Sequence, residues 1–274
     1  MPKKNLSPTQ IARFRKTVYA YYRKHRRDLP WRRTSDPYKI LVSEIMLQQT
    51  QVDRVQGKYR EFVKAFPTVQ RLAKAPLRRV LAVWQGMGYN RRALALQRIA
   101  QEIIAQHRGK VPRDIRSLDA LPGIGPATAS SISAFAFNFP ALFIETNIRS
   151  VFIHHFFNDC SCVRDDEILP LLEQALDRKN AHHWYSALMD YGVSLKKRFA
   201  NPSRKSAHYS AQGEFAGSDR QLRGRVIKLL VAQSRMTESS LIRKLDSAKP
   251  RAQRILKTLR KEGILKKQSA WYTL

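Results

Sequence analysis

Over most of this chain the apolar residues recur every three or four positions and almost never alternate. Leu41, Ile45, Val52, Val55, Tyr59 and Phe62 fall at helical spacing, and further stripes run from Leu77 to Trp84, from Ala93 to Ile104 and through Ile132 and Phe135. That period buries one face of a helix and cannot seat a strand, whose side chains switch faces at every residue. The first two-thirds of the chain is therefore expected to be helical. Start signals agree: Pro67-Thr68, Pro76 and Asn180 each stand before an apolar segment. Gly86-Met87-Gly88 and Leu121-Pro122-Gly123-Ile124-Gly125 interrupt the pattern with residues that let backbone amides face outward.

Charge narrows the function. The chain of 274 residues carries 51 Lys and Arg against 21 Asp and Glu, a formal excess of +30, while 43% hydrophobic residues supply enough apolar material for real cores. Such an excess is the electrostatic footprint of a polyanion partner, because a cation beside a phosphate releases condensed counterions. Nucleic acid is the leading partner. A merely solvated basic surface and a face for anionic lipid are the alternatives, but no amphipathic terminal helix or anchor supports the latter. The opening MPKKNLSPTQ has no apolar signal core, and no run approaches the roughly 20 apolar residues that span a bilayer. With two cysteines one residue apart, Cys160 and Cys162, neither a disulfide framework nor a four-ligand metal site is expected from cysteine alone. His154-His155 and His182-His183 are assigned packing and surface roles. A cytoplasmic protein without membrane contact is expected, nucleoid-associated in a prokaryote.

After Gly192 the composition turns polar and basic. Residues 196–274 hold 20 Lys and Arg against 5 Asp and Glu, half of the whole excess. Residues 1–195 read as one domain, 196–218 as a basic linker and 219–274 as a second domain. Helices are expected through Leu222 to Leu230, after Thr237, and after Ser247 until Gly263, followed by a hairpin of Ile264-Leu265 and the segment from Trp271 to Leu274. Three short helices and a hairpin make a winged helix-turn-helix pattern. Arg251, Arg254, Lys257 and Lys261 fall opposite the apolar stripe of the third helix, where a recognition helix presents phosphate or base contacts, although an ordinary solvated face has the same look.

Three places carry candidate chemistry. In ILVSEIMLQQTQVDRV the apolar stripe continues through Gln48, with Glu44 one turn away, so a carboxylate and an amide face inward. Unpaired polar groups on a buried face are costly, and such a pair either does chemistry or lines a helix junction as a hydrogen-bond pair. Glu145 ends the apolar run Ala141-Leu142-Phe143-Ile144, with Thr146 placed to cap a helix from Asn147. At a helix start Glu145 would be favoured as the anion, whereas Glu44 in mid-helix would be pushed toward its neutral form. One proton donor and one fixed anion suit glycosidic cleavage through an oxocarbenium-like transition state, while plain capping is the simpler role for Glu145. Gly123 and Gly125, between two helices, form a turn whose amides can hold a phosphate.

Taken together, Leu29-Pro30-Trp31, Pro37-Tyr38, the run Ser43-Glu44-Ile45-Met46-Leu47-Gln48-Gln49-Thr50-Gln51-Val52, Gly86-Met87-Gly88-Tyr89, the 121–129 hairpin and Met189-Asp190-Tyr191-Gly192 resemble the helix-hairpin-helix DNA glycosylase superfamily, and within it the A/G-specific adenine DNA glycosylases. The resemblance covers roughly residues 10 to 195. It implies an all-α, two-lobed helix-hairpin-helix fold, here followed by the small winged helix-turn-helix (α+β) domain, acting as a monomer on double-stranded DNA with a mispaired or damaged base. It implies that Glu44 protonates a departing adenine, that Gln48, Gln49 and Tyr89 wedge into the base stack, and that Gly123 and Gly125 grip a phosphate, with room for a monovalent cation at the hairpin. Ala127 stands where bifunctional relatives hold a Schiff-base lysine, so a monofunctional enzyme is expected.

Three departures stand against the family pattern. Glu145 aligns with the family's aspartate and puts its carboxylate one methylene further out. The four cluster cysteines fall close to Lys196, Ser203, Ser206 and Gln212, so no iron–sulfur cluster is expected, and the basic segment 196–205 is expected to take over its DNA contacts. The winged unit stands where the family carries a reader of 8-oxoguanine. The expected function is release of adenine opposite guanine or 8-oxoguanine. Release of thymine or uracil opposite guanine, or a non-catalytic DNA-binding regulator, are the rivals.

Overall fold

A computed structural model describes residues 5–211 and 213–274. Two compact units are formed, neither from one continuous stretch. The first comprises the chain up to Glu44, Arg113–Ala120 and Ile124–Ala211; the second comprises Ile45–Pro112, Leu121–Gly123 and the chain from Gln212 onward. The 219–274 segment thus clusters with 45–112, which sequence reading had assigned to the other domain.

Along the chain come α1 (Pro8–His25), α2 (Pro37–Leu47), α3 (Val52–Ala65), α4 (Val69–Ala73), α5 (Leu77–Trp84), α6 (Arg91–His107) and α7 (Ile115–Asp119). They are followed by α8 (Pro126–Phe137), α9 (Thr146–Phe156), α10 (Asp165–Ala175) and α11 (Ala181–Arg198). The C-terminal part holds α12 (Asp219–Gln233), β1 (Arg235–Thr237), α13 (Glu238–Leu245), α14 (Lys249–Lys261), β2 (Lys266–Gln268) and β3 (Trp271–Thr273). The helical reading of the first two-thirds holds. None of the helices among the described residues is long and apolar enough to cross a membrane.

Local chemistry sets many of the helix starts. Ser7 accepts from the Gln10 amide while the Gln10 side chain takes the Ser7 amide, a reciprocal cap for α1. Thr68, Asp114, Ser218 and Thr237 cap α4, α7, α12 and α13 in the simpler way, through one side-chain oxygen. In the first unit α1, α9, α10 and α11 enclose an aromatic core. Phe14 meets Phe152 at 5.3 Å and Trp184 at 5.8 Å, both edge to face. Each fully buried side chain of that size contributes on the order of 2–3 kcal/mol. In the second unit α12 packs on α5, and Arg78 Nε donates to the Val231 carbonyl at 3.0 Å.

The winged pattern is present with one addition. Arg235–Thr237 forms a strand that sequence reading did not anticipate, pairing antiparallel with β3 in a sheet of order β1-β3-β2. The hairpin lies at 266–273, while Ile264 and Leu265 are buried below it. The expected 196–218 linker is only partly a linker. Helix α11 runs on to Arg198, Pro202 and Ser203 are buried in a short 3₁₀ turn that packs on α9, and Ser206, just after it, is buried and bridges to Val163.

Candidate active site

Both candidate carboxylates belong to the first unit. Glu44 lies on α2 beside α8, where the Ser131 hydroxyl donates to its Oε2. Burial pushes the Glu44 carboxyl up to about 7; the Ser131 hydrogen bond opposes that shift, the charge of Glu145 adds to it, and Arg32 opposes it. Near neutral pH Glu44 can therefore give up a proton, and it shares an electrostatic environment with Glu145.

Glu145, rather than Thr146, is the cap of α9. Its Oε1 accepts from the Asn147 amide at 2.8 Å and the Ile148 amide at 3.2 Å, and its Oε2 accepts from the Asn147 side chain at 3.2 Å. Capping and catalysis are alternatives at the level of sequence; the bonds Glu145 makes here are those of the cap. The expected direction of its titration is corrected, however. Burial raises the Glu145 carboxyl above the usual range, and the Lys196 charge and the three hydrogen bonds only partly offset it. A helix start favours the anion, but desolvation outweighs it.

Asp190, which sequence reading treated as structural, is a buried clamp. It takes Arg27 Nε at 2.6 Å and Arg32 Nη1 and Nη2 at 2.7 and 2.9 Å. The clamp fixes the guanidinium whose charge reaches Glu44. Arg32 also lines a cavity of about 540 Å³ together with Arg26, Arg27, Arg33, His182 and His183. Neither Glu44 nor Glu145 lies in its wall.

In the second unit one arginine organises the residues expected to enter the base stack. Helix α2 ends at Leu47, so Gln48 and Gln49 lie in a turn instead of continuing the apolar stripe, and Gln49 adopts a positive φ of 51°. Arg92 bonds this turn. Its Nη1 takes the Ile45 and Met46 carbonyls at 3.0 Å each and the Gln48 carbonyl, its Nη2 takes the Thr50 hydroxyl at 2.8 Å, and its guanidinium lies 5.3 Å from the Tyr89 ring centre. Burial lowers the Arg92 pKa to about 10, still charged at neutral pH. Tyr89, at a positive φ of 45°, also accepts from Arg220 of α12 at 3.0 Å.

The hairpin lies where the chain passes between units. Gly123 needs its glycine twice over, with φ at +82° and a Cβ position 3.1 Å from the Ala95 methyl. Gly125 caps α8 without a side chain, and a Cβ there would meet nothing within 4 Å, so the first-turn amides of α8 stand behind open space. Ala127 stands in the first turn of α8.

On α14 the residues expected to touch DNA divide. Arg251 and Arg254 both pair with Asp219, at 2.9 Å from Nε and 3.0 Å from Nη2. Lys257 instead joins Arg260, Lys261, Lys266 and Lys267 around a second, open cavity.

The iron–sulfur cluster implied by the resemblance does not fit this chain. Its two cysteines are Cys160 and Cys162, both free. Lys196 is bonded to Asn147, Ser203 is buried in the 3₁₀ turn, where its Oγ donates to Asn201 at 2.8 Å, and Ser206 is buried just after the turn. Gln212 lies outside the described residues. Among the described residues there is no cluster of three or more His, Cys, Asp or Glu able to hold a metal. Backbone bonds do the holding there: the Val163 amide donates to Lys205 O at 2.8 Å and the Ala207 amide to Val163 O at 2.9 Å.

Ser131, Arg32 and Arg92 carry no signal in the sequence, and Lys196, expected among the DNA contacts of 196–205, is instead bonded to Asn147. Each acts across dozens of residues, so periodicity carries no trace of it.

Residues 42–177 match the family model for the HhH-GPD superfamily of base excision DNA repair proteins. The adenine DNA glycosylase of Mycolicibacterium smegmatis is 33% identical over 233 residues, 78% of this chain and 78% of that protein. The adenine DNA glycosylase of Buchnera aphidicola subsp. Baizongia pistaciae is 38% identical over 184 residues, 66% of this chain but only 52% of that protein. Among solved structures, a thermostable thymine-DNA glycosylase superposes with a TM-score of 0.59 at 26% identity, covering 67% of this chain and 86% of the other. The chain belongs to the helix-hairpin-helix superfamily of base excision repair DNA glycosylases, in its adenine DNA glycosylase-like branch.

Proposed function

We propose that this chain is a monofunctional DNA glycosylase that removes adenine from a mispair with guanine or 8-oxoguanine. One observation carries the chemistry: two carboxyl groups in one unit, one raised to about 7 by burial and by the charge of the other. Glu44 donates a proton to a ring nitrogen of the flipped base, turning it into a neutral leaving group. As the glycosidic bond lengthens the sugar gains positive charge, which the Glu145 carboxylate faces. Water then completes the hydrolysis, leaving an abasic site in an uncut strand. Glu145 is one methylene longer than the family's aspartate, and its three donors from the start of α9 supply the fixed position that a longer side chain would otherwise lose.

Adenine is favoured by the names of the relatives sharing 33% and 38% identity and by the LQQTQV run after Glu44. Thymine or uracil opposite guanine is a second reading, favoured by the likeness to a thymine-DNA glycosylase structure. The non-catalytic regulator is disfavoured, since a binding protein has no need of a carboxyl poised near neutral pH. The enzyme would act as a monomer on duplex DNA in the cytoplasm or nucleoid, with Gln48, Gln49 and Tyr89 entering the stack. Gly123 and Gly125 would hold a phosphate, with a monovalent cation at the same hairpin. Residues 219–274 serve as the winged DNA-binding domain, with Lys257, Arg260, Lys261, Lys266 and Lys267 as its phosphate contacts.

The test is direct. Duplexes carrying A:G, A:8-oxoguanine, T:G and U:G are incubated with the protein and treated with alkali. Strand scission only after alkali, only in the A-containing duplexes, and lost in Glu44→Gln, is expected. Scission of T:G or U:G alone moves the assignment to the second reading. Tight binding with no scission in any duplex overturns the enzyme.

A further inference from the structure

We infer that Lys196 is a positioning residue for Glu145, holding Asn147 and through it the carboxylate that faces the reacting sugar. The residue stands close to where the resemblance places a cluster cysteine, so a side chain of this protein occupies a place that the cluster cannot.

The chain of contacts is short and polar throughout. Lys196 Nζ donates to Asn147 Oδ1 at 2.9 Å. The same amide donates through Nδ2 to Glu145 Oε2 at 3.2 Å, while the Asn147 backbone N–H donates to Oε1 at 2.8 Å. Only one orientation of the amide satisfies both neighbours: oxygen toward the ammonium, nitrogen toward the carboxylate. Lys196 therefore locks from the far side the orientation that gives Glu145 its side-chain donor, and without the ammonium the amide is held by the carboxylate alone.

The close approach is built into α11. Gly192, one turn before Lys196, has a Cβ position only 2.4 Å from the Asn147 carbonyl oxygen, so any other residue would push α11 off the start of α9. Gly192 brings the helices together and Lys196 uses the proximity. A partly buried ammonium is costly unless paired, and here burial lowers the Lys196 pKa while Glu145 raises it.

The neighbouring cations are already engaged: Arg149, whose charge opposes that of Lys196, is held by Asp165 of α10 at 2.7 Å, and Arg32, whose charge reaches Glu44, by Asp190. Glu44 adds a carboxyl whose titration Glu145 influences. Among the causes that lower Glu145, the Lys196 charge comes first.

This inference rests on Glu145 acting as the stabilising anion, and its test separates the two ideas. Full-length protein labelled with ¹³C at glutamate carboxyls is titrated by NMR, with Glu145→Gln assigning the resonance. In Lys196→Met the Glu145 midpoint should rise by about one pH unit, a tenfold change in its ionisation constant. Lys196→Arg should bring it back. Single-turnover excision at saturating protein on an A:8-oxoguanine duplex should show the acidic limb of the rate profile moving up by the same amount in Lys196→Met. An unmoved midpoint overturns the inference whether or not the protein is active. So does a rate lowered equally at every pH, which is the mark of a merely structural lysine. If Lys196→Met does not fold, Lys196→Gln replaces it under the same criteria. Absence of excision by the wild-type chain, with the midpoint shift present, would count against the enzyme assignment alone.

Discussion

The charge of Glu145 helps hold Glu44 in its acid form. This coupling gives the rate of base release a definite pH dependence. With Glu44 as the proposed acid, the rate should hold between the acidic limb set by Glu145 and the Glu44 pKa of about 7, and fall as pH rises through that value. Glu44→Gln should reduce base release by about a hundredfold to ten-thousandfold while leaving duplex affinity intact, as read from single-turnover kinetics and fluorescence anisotropy. Ser131→Ala removes a hydrogen bond that lowers the Glu44 pKa, so its basic limb should move to higher pH. A limb that stays in place would remove Ser131 from the site.

The same carboxyl affects folding. Its folded-state pKa of about 7 lies above the unfolded value, so its contribution to stability is fully present below the unfolded pKa and is lost as pH rises through about 7. Glu44→Gln should therefore raise the thermal midpoint at pH 8, by a stabilisation on the order of 2 kcal/mol, and leave it nearly unchanged at pH 4. Calorimetry at the two pH values checks this. Equal effects at both would mean that the side chain is not desolvated.

Much of the candidate site is legible in the sequence, and the exceptions have one kind of cause. Glu44 was recognisable because a carboxylate flanking an apolar stripe breaks a local rule, and Glu145 because it ends an apolar run at a helix start. Gln48 lies off the helix in a turn whose carbonyls at Ile45, Met46 and Gln48 are bonded by Arg92, 44 residues away from Gln48, a partner that local spacing does not reveal. The shift of Glu145 was read in the wrong direction because capping is local and burial is not. Strand β1 was missed because three residues, Arg235–Thr237, are too few to show alternation, and only the partner β3 makes them a strand. Periodicity reveals which face of an element is buried; it is silent on which distant side chain meets it.

Asp190 holds two cations with a side chain only 1% exposed. Asp190→Asn should cost about 3–5 kcal/mol, because it leaves two guanidiniums partly buried without their counter-charge. Glu173→Gln, which breaks an ion pair with Arg178 whose side chains are both more than half exposed, should change stability by less than about 0.5 kcal/mol. Chemical denaturation of the two variants gives the comparison, and equal costs would mean that the Asp190 clamp is solvated.

Tyr89 receives a hydrogen bond from Arg220, so α12 reaches the residue proposed to enter the base stack. Arg220→Leu should leave the fold intact, since α12 is anchored independently by Leu222, Val226 and Leu230. Affinity for a mispaired duplex should fall about fivefold, roughly 1 kcal/mol, with a smaller loss for a fully paired one. Equal losses on both duplexes would show Arg220 acting as a general phosphate contact instead.

The basic excess of the C-terminal segment is unevenly available. Arg251 and Arg254 are each paired with Asp219, which lies at the first position of α12, so part of their charge is neutralised within the fold. Lys257, Arg260, Lys261, Lys266 and Lys267 surround one opening; Lys267 is paired with Glu238 at 3.3 Å, and the other four present their charge together. Each phosphate contact contributes about 0.9 to the slope of log affinity against log salt. Lys257→Ala combined with Lys261→Ala should therefore flatten the slope by about 2 and weaken binding uniformly across sequences. Arg251→Ala should leave the slope nearly unchanged and instead loosen the start of α12, visible as faster amide exchange around Asp219. A slope altered by Arg251→Ala and not by the lysine pair would return the contact surface to the N-terminal half of α14, the face proposed from the helical pattern alone.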